Sequence, residues 1–198
     1  MPAAPRPAQA RIVRTADLAP QRWANGGGWT REIHREPEPG AGPDSRPAWR
    51  LSLADIDEPG VFSSLPGMDR CFLLAAPRSA PLDLVVDGAA HRLRFAETLA
   101  FAGDAEVATT TVPPGTRALN LMVRSGTTGI PRSPELLRGD LELSISASAT
   151  NALVLLDGEA ELDGEKLVRF DAVLPGRENA HLVLRDATVA HFPAQAAV

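Results

Sequence analysis

Cysteine and lysine are almost absent from this chain, and no long apolar run interrupts it. Among 198 residues the one cysteine is Cys71, which excludes an intramolecular disulfide and a multi-cysteine metal centre. It sits in the apolar run Arg70-Cys71-Phe72-Leu73-Leu74, where a free thiol serves as a small buried hydrophobe, and no histidine adjoins it as a base. The 20 basic residues include a single lysine, Lys166, and are outnumbered by 25 acidic ones, for a net charge of -5. No basic tract forms, which argues against a surface built on phosphate contacts with nucleic acid. No apolar segment has the length of a signal-peptide core or a membrane span. The expectation is a soluble, cytoplasmic protein, monomer or homodimer, with no nucleic-acid or membrane partner.

Paired histidines are also missing. His34, His91, His181 and His191 lie far apart, with no two at the i+2 or i+4 spacing that seats a metal on one strand or helix face. Neither a metal site nor another cofactor is expected.

The chain has instead 18 prolines and 16 glycines, which cut it into short pieces. Residues 1–10 read as a mobile Pro/Ala-rich tail and residues 36–47 as a long surface loop. Between the breaks lie short alternating runs at Trp49 to Ile56, Leu82 to Val86, His91 to Phe95, Leu119 to Val123, Leu141 to Ile145 and Leu153 to Leu156. This spacing predicts an all-β sandwich or barrel. Helix is expected only near Asp17 to Arg22 and Pro134 to Arg138, the latter with Ser133 as N-cap.

A weak internal repeat organises the strands. Leu82 to Leu93 reads as strand, Asp87-Gly88 turn, strand, and Ala152 to Leu162 reads as the same design around Asp157-Gly158. The second rhythm, Leu-Leu-x-Gly-x-Ala-x-Leu followed by Val-Leu-Pro-Gly, resembles cupin barrels. The expected fold is therefore all-β: a cupin-like double-stranded β-barrel of two related modules (a bicupin) with few short helices. The modules are placed at residues 11–124 and 125–198, packed as one unit.

The densest local signal is Trp23-Ala24-Asn25-Gly26-Gly27-Gly28-Trp29-Thr30-Arg31-Glu32. Consecutive glycines mark positive φ or close approach, and they are also able to present N–H groups to an anion. Alternation after them puts Thr30, Glu32 and His34 on one face. The same alternation groups Arg50 with Ser52, and Asn120 with Met122. Each polar set lies opposite bulky apolar neighbours, which fits either a solvated outer face or a polar lumen with Arg50 aimed at a carboxylate. Phe62, the Pro66-Gly67 turn, Asp69 and Arg70 follow at a strand entry, where small-ligand sites are commonly built.

Together, Trp-x-Asn-Gly-Gly-Gly-x-Thr-x-Glu at 23–32, Trp-Arg-Leu-Ser-x-Ala at 49–54, Phe-Ser-x-x-Pro-Gly-x-Asp-Arg at 62–70, Phe-x-Gly at 101–103 and Leu-Asn-Leu-Met at 119–122 resemble the HutD/Ves family. The resemblance implies a bicupin-like fold and a small-molecule pocket, with no catalytic activity firmly attached. Some members are encoded with histidine-utilisation enzymes, and others are linked to stress at low temperature. It also favours the lumen over the solvated face. One departure is Ala118, where relatives commonly carry an acidic residue. The resulting expectation is a regulatory or accessory protein that binds a carboxylate-bearing metabolite, such as an intermediate of histidine degradation, through Asn25, Thr30, Glu32, Arg50, Ser52, Phe62, Asp69, Arg70, Asn120 and Met122. Arg50 would pair with the carboxylate, and Glu32 and Asp69 would orient Arg50 or Arg70. The alternatives are a metal-independent isomerase or hydrolase using Glu32, His34 and Asp69, or a protein-interaction module.

Overall fold

A computed structural model describes residues 8–37 and 46–194. Most of the tail and of the loop expected at residues 36–47 therefore lies outside the described residues. Strand β1 (Arg11–Val13) comes first, followed by β2 (Gln21–Arg22), β3 (Gly28–Glu36), β4 (Trp49–Ile56), β5 (Gly60–Val61) and β6 (Met68–Ala76). Then come β7 (Leu82–Val86), β8 (Ala89–Leu93), β9 (Thr98–Ala102), β10 (Val107–Thr111) and β11 (Thr116–Arg124). The last five are β12 (Glu135–Ile145), β13 (Thr150–Leu162), β14 (Glu165–Leu167), β15 (Ala172–Leu174) and β16 (Ala180–Pro193). No described helix is long and apolar enough to cross a membrane.

Residues 18–127 form one compact unit, and residues 1–17 with 128–198 form the other. In the first unit a six-stranded antiparallel sheet runs β2-β3-β4-β11-β6-β9, and a four-stranded sheet runs β5-β10-β7-β8. The two sheets share one core, in which Ala54, Ile56, Phe72, Leu74 and Ala118 meet Leu82, Leu84, Leu93 and Val107. Alternation explains the pairing, since every second residue of β4 and β6 turns to that interior.

The other unit is a six-stranded sheet, β1-β15-β13-β16-β12 with β14 on β13. Its core gathers Leu153, Leu155, Leu162, Leu167, Leu182, Leu184 and Val189, with Leu137, Leu141 and Leu143 packed against them. Strand β1 belongs here, paired Arg11 to Leu174 and Val13 to Ala172, whereas the sequence places residues 11–17 with the first module. Arg14 secures that end: it forms an ion pair with the fully buried Asp171 and another with Glu165 at 2.6 Å.

Three local expectations need correction. Residues 135–138 open strand β12 rather than a helix, because Leu137 shares the alternation of Leu141 and Leu143 and joins their core. Near Asp17 to Arg22 there is a single 3-10 turn, Thr15–Asp17, and then strand β2. Asp157-Gly158 is not a hairpin tip either. It lies inside β13 at shifts in register against β16, and the tip is Asp163-Gly164, both at positive φ. The structural counterpart of the β7–β8 hairpin around Asp87-Gly88 is thus β13–β14 around Asp163-Gly164. After the second strand of each hairpin one residue again takes positive φ, Ala96 in the first and Phe170 in the other.

Candidate functional site

Inside the 18–127 unit, one face of the six-stranded sheet is divided along its strands. On β4 Arg50 and Ser52 precede Ala54 and Ile56, and on β11 Ala118 precedes Asn120 and Met122. On β6 Arg70 precedes Phe72 and Leu74, and on β3 Thr30 and Glu32 follow Gly28. The apolar halves supply the shared core described above. The polar halves do not face bulk water: Ser52 is 1% exposed, while Arg70 and Asn120 are each 7% exposed. These values decide between the two sequence readings in favour of a polar interior.

The polar half lines a cavity of about 430 Å³, with Arg22, Trp23, Asn25, Arg50, Arg70 and Asn120 among its walls. Thr30, Ser52, Phe62 and Met122 also line it. An adjoining cavity of about 180 Å³ shares Arg50, Leu65 and Met122 with it and adds Arg35 and Arg46.

Arg70 is the unusual group. Its ring neighbours are Phe62 and Phe101, with centroids 5.4 Å and 5.0 Å from the guanidinium carbon. It donates through Nη1 to the Ser63 carbonyl at 3.3 Å and through Nη2 to Asn120 Oδ1 at 3.5 Å, both long contacts. Its Nε is buried with no hydrogen-bond partner among the described residues. Burial, and secondarily the Arg50 charge, pull its pKa down to about 10, so it remains a cation at neutral pH. Arg50, by contrast, donates its Nε to Glu32 Oε2 at 2.7 Å.

Local backbone chemistry holds these groups. Trp23 Nε1 donates to Thr30 Oγ1 at 2.7 Å, while Asn25 donates to the Val61 carbonyl and accepts from the Gly27 N–H. The glycine run is therefore a clasp between β2 and β3, with the Gly26 and Gly27 N–H groups used internally rather than offered to an anion. A Cβ on Gly28 would collide with the Asp55 carbonyl oxygen, so that position admits only glycine. Pro66-Gly67 forms the expected turn, with Gly67 at φ +79° and the Met68 N–H donating to the Leu65 carbonyl.

Eight of the ten sequence-selected residues line the cavity, and Glu32 stands beside it through Arg50. Asp69 does not join them. It alternates to the opposite face from Arg70, and its carboxylate accepts from Ser125 Oγ at 2.9 Å. His34 leaves the cavity face as well. A β-bulge between Glu32 and His34 puts His34 across from Leu51 and its ring 4.3 Å from that of Trp49. Glu32, His34 and Asp69 are thus not assembled into an acid–base group. The same bulge turns Arg35 onto the cavity side, opposite Arg50.

Sequence reasoning missed Arg22, Trp23, Arg35 and Ser63. Trp23 was visible in the glycine motif, whereas Arg35 carried no signal, since its facing depends on the bulge. Ala118 is fully buried within the apolar core rather than in the polar half.

Cupin folds commonly hold a metal, so the donor set bears on that possibility. The described residues lining the two cavities include no histidine, cysteine, aspartate or glutamate, and they include Arg22, Arg35, Arg46, Arg50 and Arg70. Such a lining does not fit a metal cation. Among the described residues no three His, Cys, Asp or Glu side chains converge elsewhere.

Comparison with known proteins agrees with this architecture. The chain is 36% identical over 116 residues to a 21.2 kDa protein encoded in the hutC 3' region of Pseudomonas putida, covering 58% of each. It is also 36% identical over 104 residues to protein Ves of Citrobacter koseri, covering 52% of this chain and 51% of that one. The chain thus spans about half the length of the curated relatives it matches. The solved structure of HutD from Pseudomonas fluorescens SBW25 superposes with a TM-score of 0.76 at 26% identity, covering 95% of this chain and all of that one. For the fold alone, a cupin 2 conserved barrel domain protein from Leptotrichia buccalis superposes with a TM-score of 0.56 at 12% identity, covering 94% and 97%. The HutD family model matches residues 15–192, and with the cupin-like fold in place the chain belongs to the HutD family.

Proposed function

We propose that this protein binds a small carboxylate-bearing metabolite in its 18–127 unit, in an accessory or regulatory role. The observation that carries this reading is Arg70, a buried guanidinium on the wall of a cavity of ligand size, with an unpartnered Nε and no carboxylate beside it among the described residues. Desolvating a cation without an anion costs several kcal/mol, roughly, unless something else supplies the charge. A ligand carboxylate does so through paired N–H donors and gains orientation as well as energy. Arg50 supplies a second cation and Ser52, Thr30 and Asn120 supply neutral hydrogen bonds, while Phe62 and Met122 form apolar walls. Arg70 thus takes the principal role that the sequence suggested for Arg50, whose Nε is already held by Glu32.

The hutC-region name of the Pseudomonas putida relative supports a ligand drawn from histidine degradation. Thermal-shift titration with N-formylglutamate and urocanate, with and without divalent metal, tests the reading. A dose-dependent shift without metal, lost in Arg70→Met, is the expected result. Silence from both acids, or a shift unchanged in Arg70→Met, would overturn it.

A further inference from the structure

The unit formed by residues 1–17 and 128–198 has a cavity of its own, of about 280 Å³. Ala160 and Leu162 of β13 and Leu184 of β16 turn into the core of that unit. Alternation therefore sends Glu159, Glu161, Val183 and Arg185 to the opposite face of the sheet, where they line the cavity. Glu161 pairs in register with Lys166 of β14 on one side and with Val183 on the other, and Glu159 pairs with Arg185. Each acid thus stands directly across from a cation. Side chains opposed in this way start only about 5 Å apart at Cβ, close enough to meet. Yet neither pair closes into an ion pair, and all four charged groups border the cavity instead.

The facing wall is fixed by hydrogen bonds. The Val168 N–H donates to Oδ2 of the fully buried Asp171 at 2.8 Å, and the Phe170 N–H donates to the Leu155 carbonyl at 2.7 Å. Arg169 Nε donates to the Leu156 carbonyl at 2.7 Å. Val168 is held 60% exposed on this wall, although it is a large hydrophobic side chain. Val61 has the same character in the 18–127 unit, and it too lines a cavity. Exposed apolar surface beside charged groups is the usual make-up of a small-ligand site.

Exposed ion pairs contribute little to stability, so these four charged groups exchange partners at small cost. A simple anion drawn to Lys166 and Arg185 meets the repulsion of Glu159 and Glu161, and a simple cation meets the reverse. A ligand that carries both signs a few bonds apart gains from each set. We propose that this cavity is a binding site for a free amino acid with an aliphatic side chain. Arg185 and Lys166 receive the carboxylate, Glu159 and Glu161 receive the ammonium, and Val168 and Val183 pack on the side chain.

Methyl NMR of the full chain, titrated with L-leucine, reads this site directly, because Val168 and Val183 carry methyl groups on its walls. Saturable shifts of both residues are expected. Removing either charge from the ligand tests the recognition. 4-Methylpentanoate lacks the ammonium, 3-methylbutylamine lacks the carboxylate, and each should bind at least about tenfold more weakly by the same resonances. Glu159→Gln and Arg185→Gln, both at exposed positions where the fold tolerates exchange, should each weaken leucine binding severalfold. Absence of a saturable shift at Val168 and Val183 overturns the proposal. So does equal binding of either single-charge analogue, or unchanged affinity in either variant. Shifts confined to Val61 and Leu65 would place the amino acid in the other unit's cavity and overturn it as well. None of these failures touches the carboxylate reading of the 18–127 unit, which is tested separately by the thermal-shift titration.

Discussion

Arg35 stands directly across from Arg50 on the neighbouring antiparallel strand, two cations on one face of the same sheet. That opposition exists only because a bulge after Glu32 reverses the facing of the residues beyond it. It contributes to the cationic rim of the cavity at Arg50. Arg35→Ala should therefore weaken binding of a carboxylate probe severalfold and make its dependence on salt shallower. Calorimetry at low and high potassium chloride measures both. An unchanged salt dependence would remove Arg35 from the rim's electrostatics.

Arg70 separates function from stability. Replacing a buried, incompletely hydrogen-bonded cation by an apolar group of similar length is commonly neutral or stabilising, by up to about 4 kcal/mol. Arg70→Met should keep or raise the melting temperature while abolishing carboxylate binding. A marked fall in melting temperature would show that the guanidinium serves the fold, through Ser63 and Asn120, more than a ligand.

Gly103 explains the Phe-x-Gly motif at 101–103. A Cβ there would run into the backbone carbonyl oxygens of Leu65 and Met68, and neither has a flexible side-chain end that could yield. The Leu65 N–H also donates to the Gly103 carbonyl at 2.6 Å, so this glycine anchors the turn that carries Leu65 along the cavity wall. Gly103→Ala should destabilise by about 1–3 kcal/mol, the usual cost of overpacking, as read by urea denaturation. Wild-type stability in that variant would mean the 62–67 segment shifts freely, and the wall would not be rigid.

His191 gives the other unit a pH dependence. Burial holds its pKa below the ordinary histidine value, and this outweighs the opposing pull of Glu135, whose carboxylate lies 3.6 Å from Nδ1. The unfolded chain then binds this proton more readily than the folded one. The stabilisation is fully present above the unfolded value, about 6.5, and is lost as pH falls below it. Melting temperatures should decline from pH 7.5 to pH 5.5, and His191→Gln, which retains a polar partner for Thr150 Oγ1, should flatten that decline. An identical slope in the variant would assign the acid sensitivity to other groups.

Alternation along single strands was sufficient to place Arg50 with Ser52 and Asn120 with Met122, because period-2 facing is a property of the backbone itself. The extents of β4 and of β7 were legible for the same reason, as was the Asp87-Gly88 tip, where residue chemistry alone favours positive φ. The motif series also identified the family and the cupin-like fold, because its residues serve turns and close approaches that have few substitutes. Two-body information was missing wherever a strand's register against its neighbour decided the outcome. The bulge after Glu32 sent His34 to Trp49 and Arg35 to the cavity, and register shifts in β13 turned Asp157-Gly158 from an apparent tip into a mid-strand irregularity. Leu137 lies in a segment whose local chemistry predicts a helix, and packing against the core of β13 and β16 makes it part of a strand. The isolation of Arg70 is wholly tertiary: Phe62 and Phe101 come from distant segments to bury it, and charge burial depends on what surrounds a side chain in space rather than on what adjoins it in the chain.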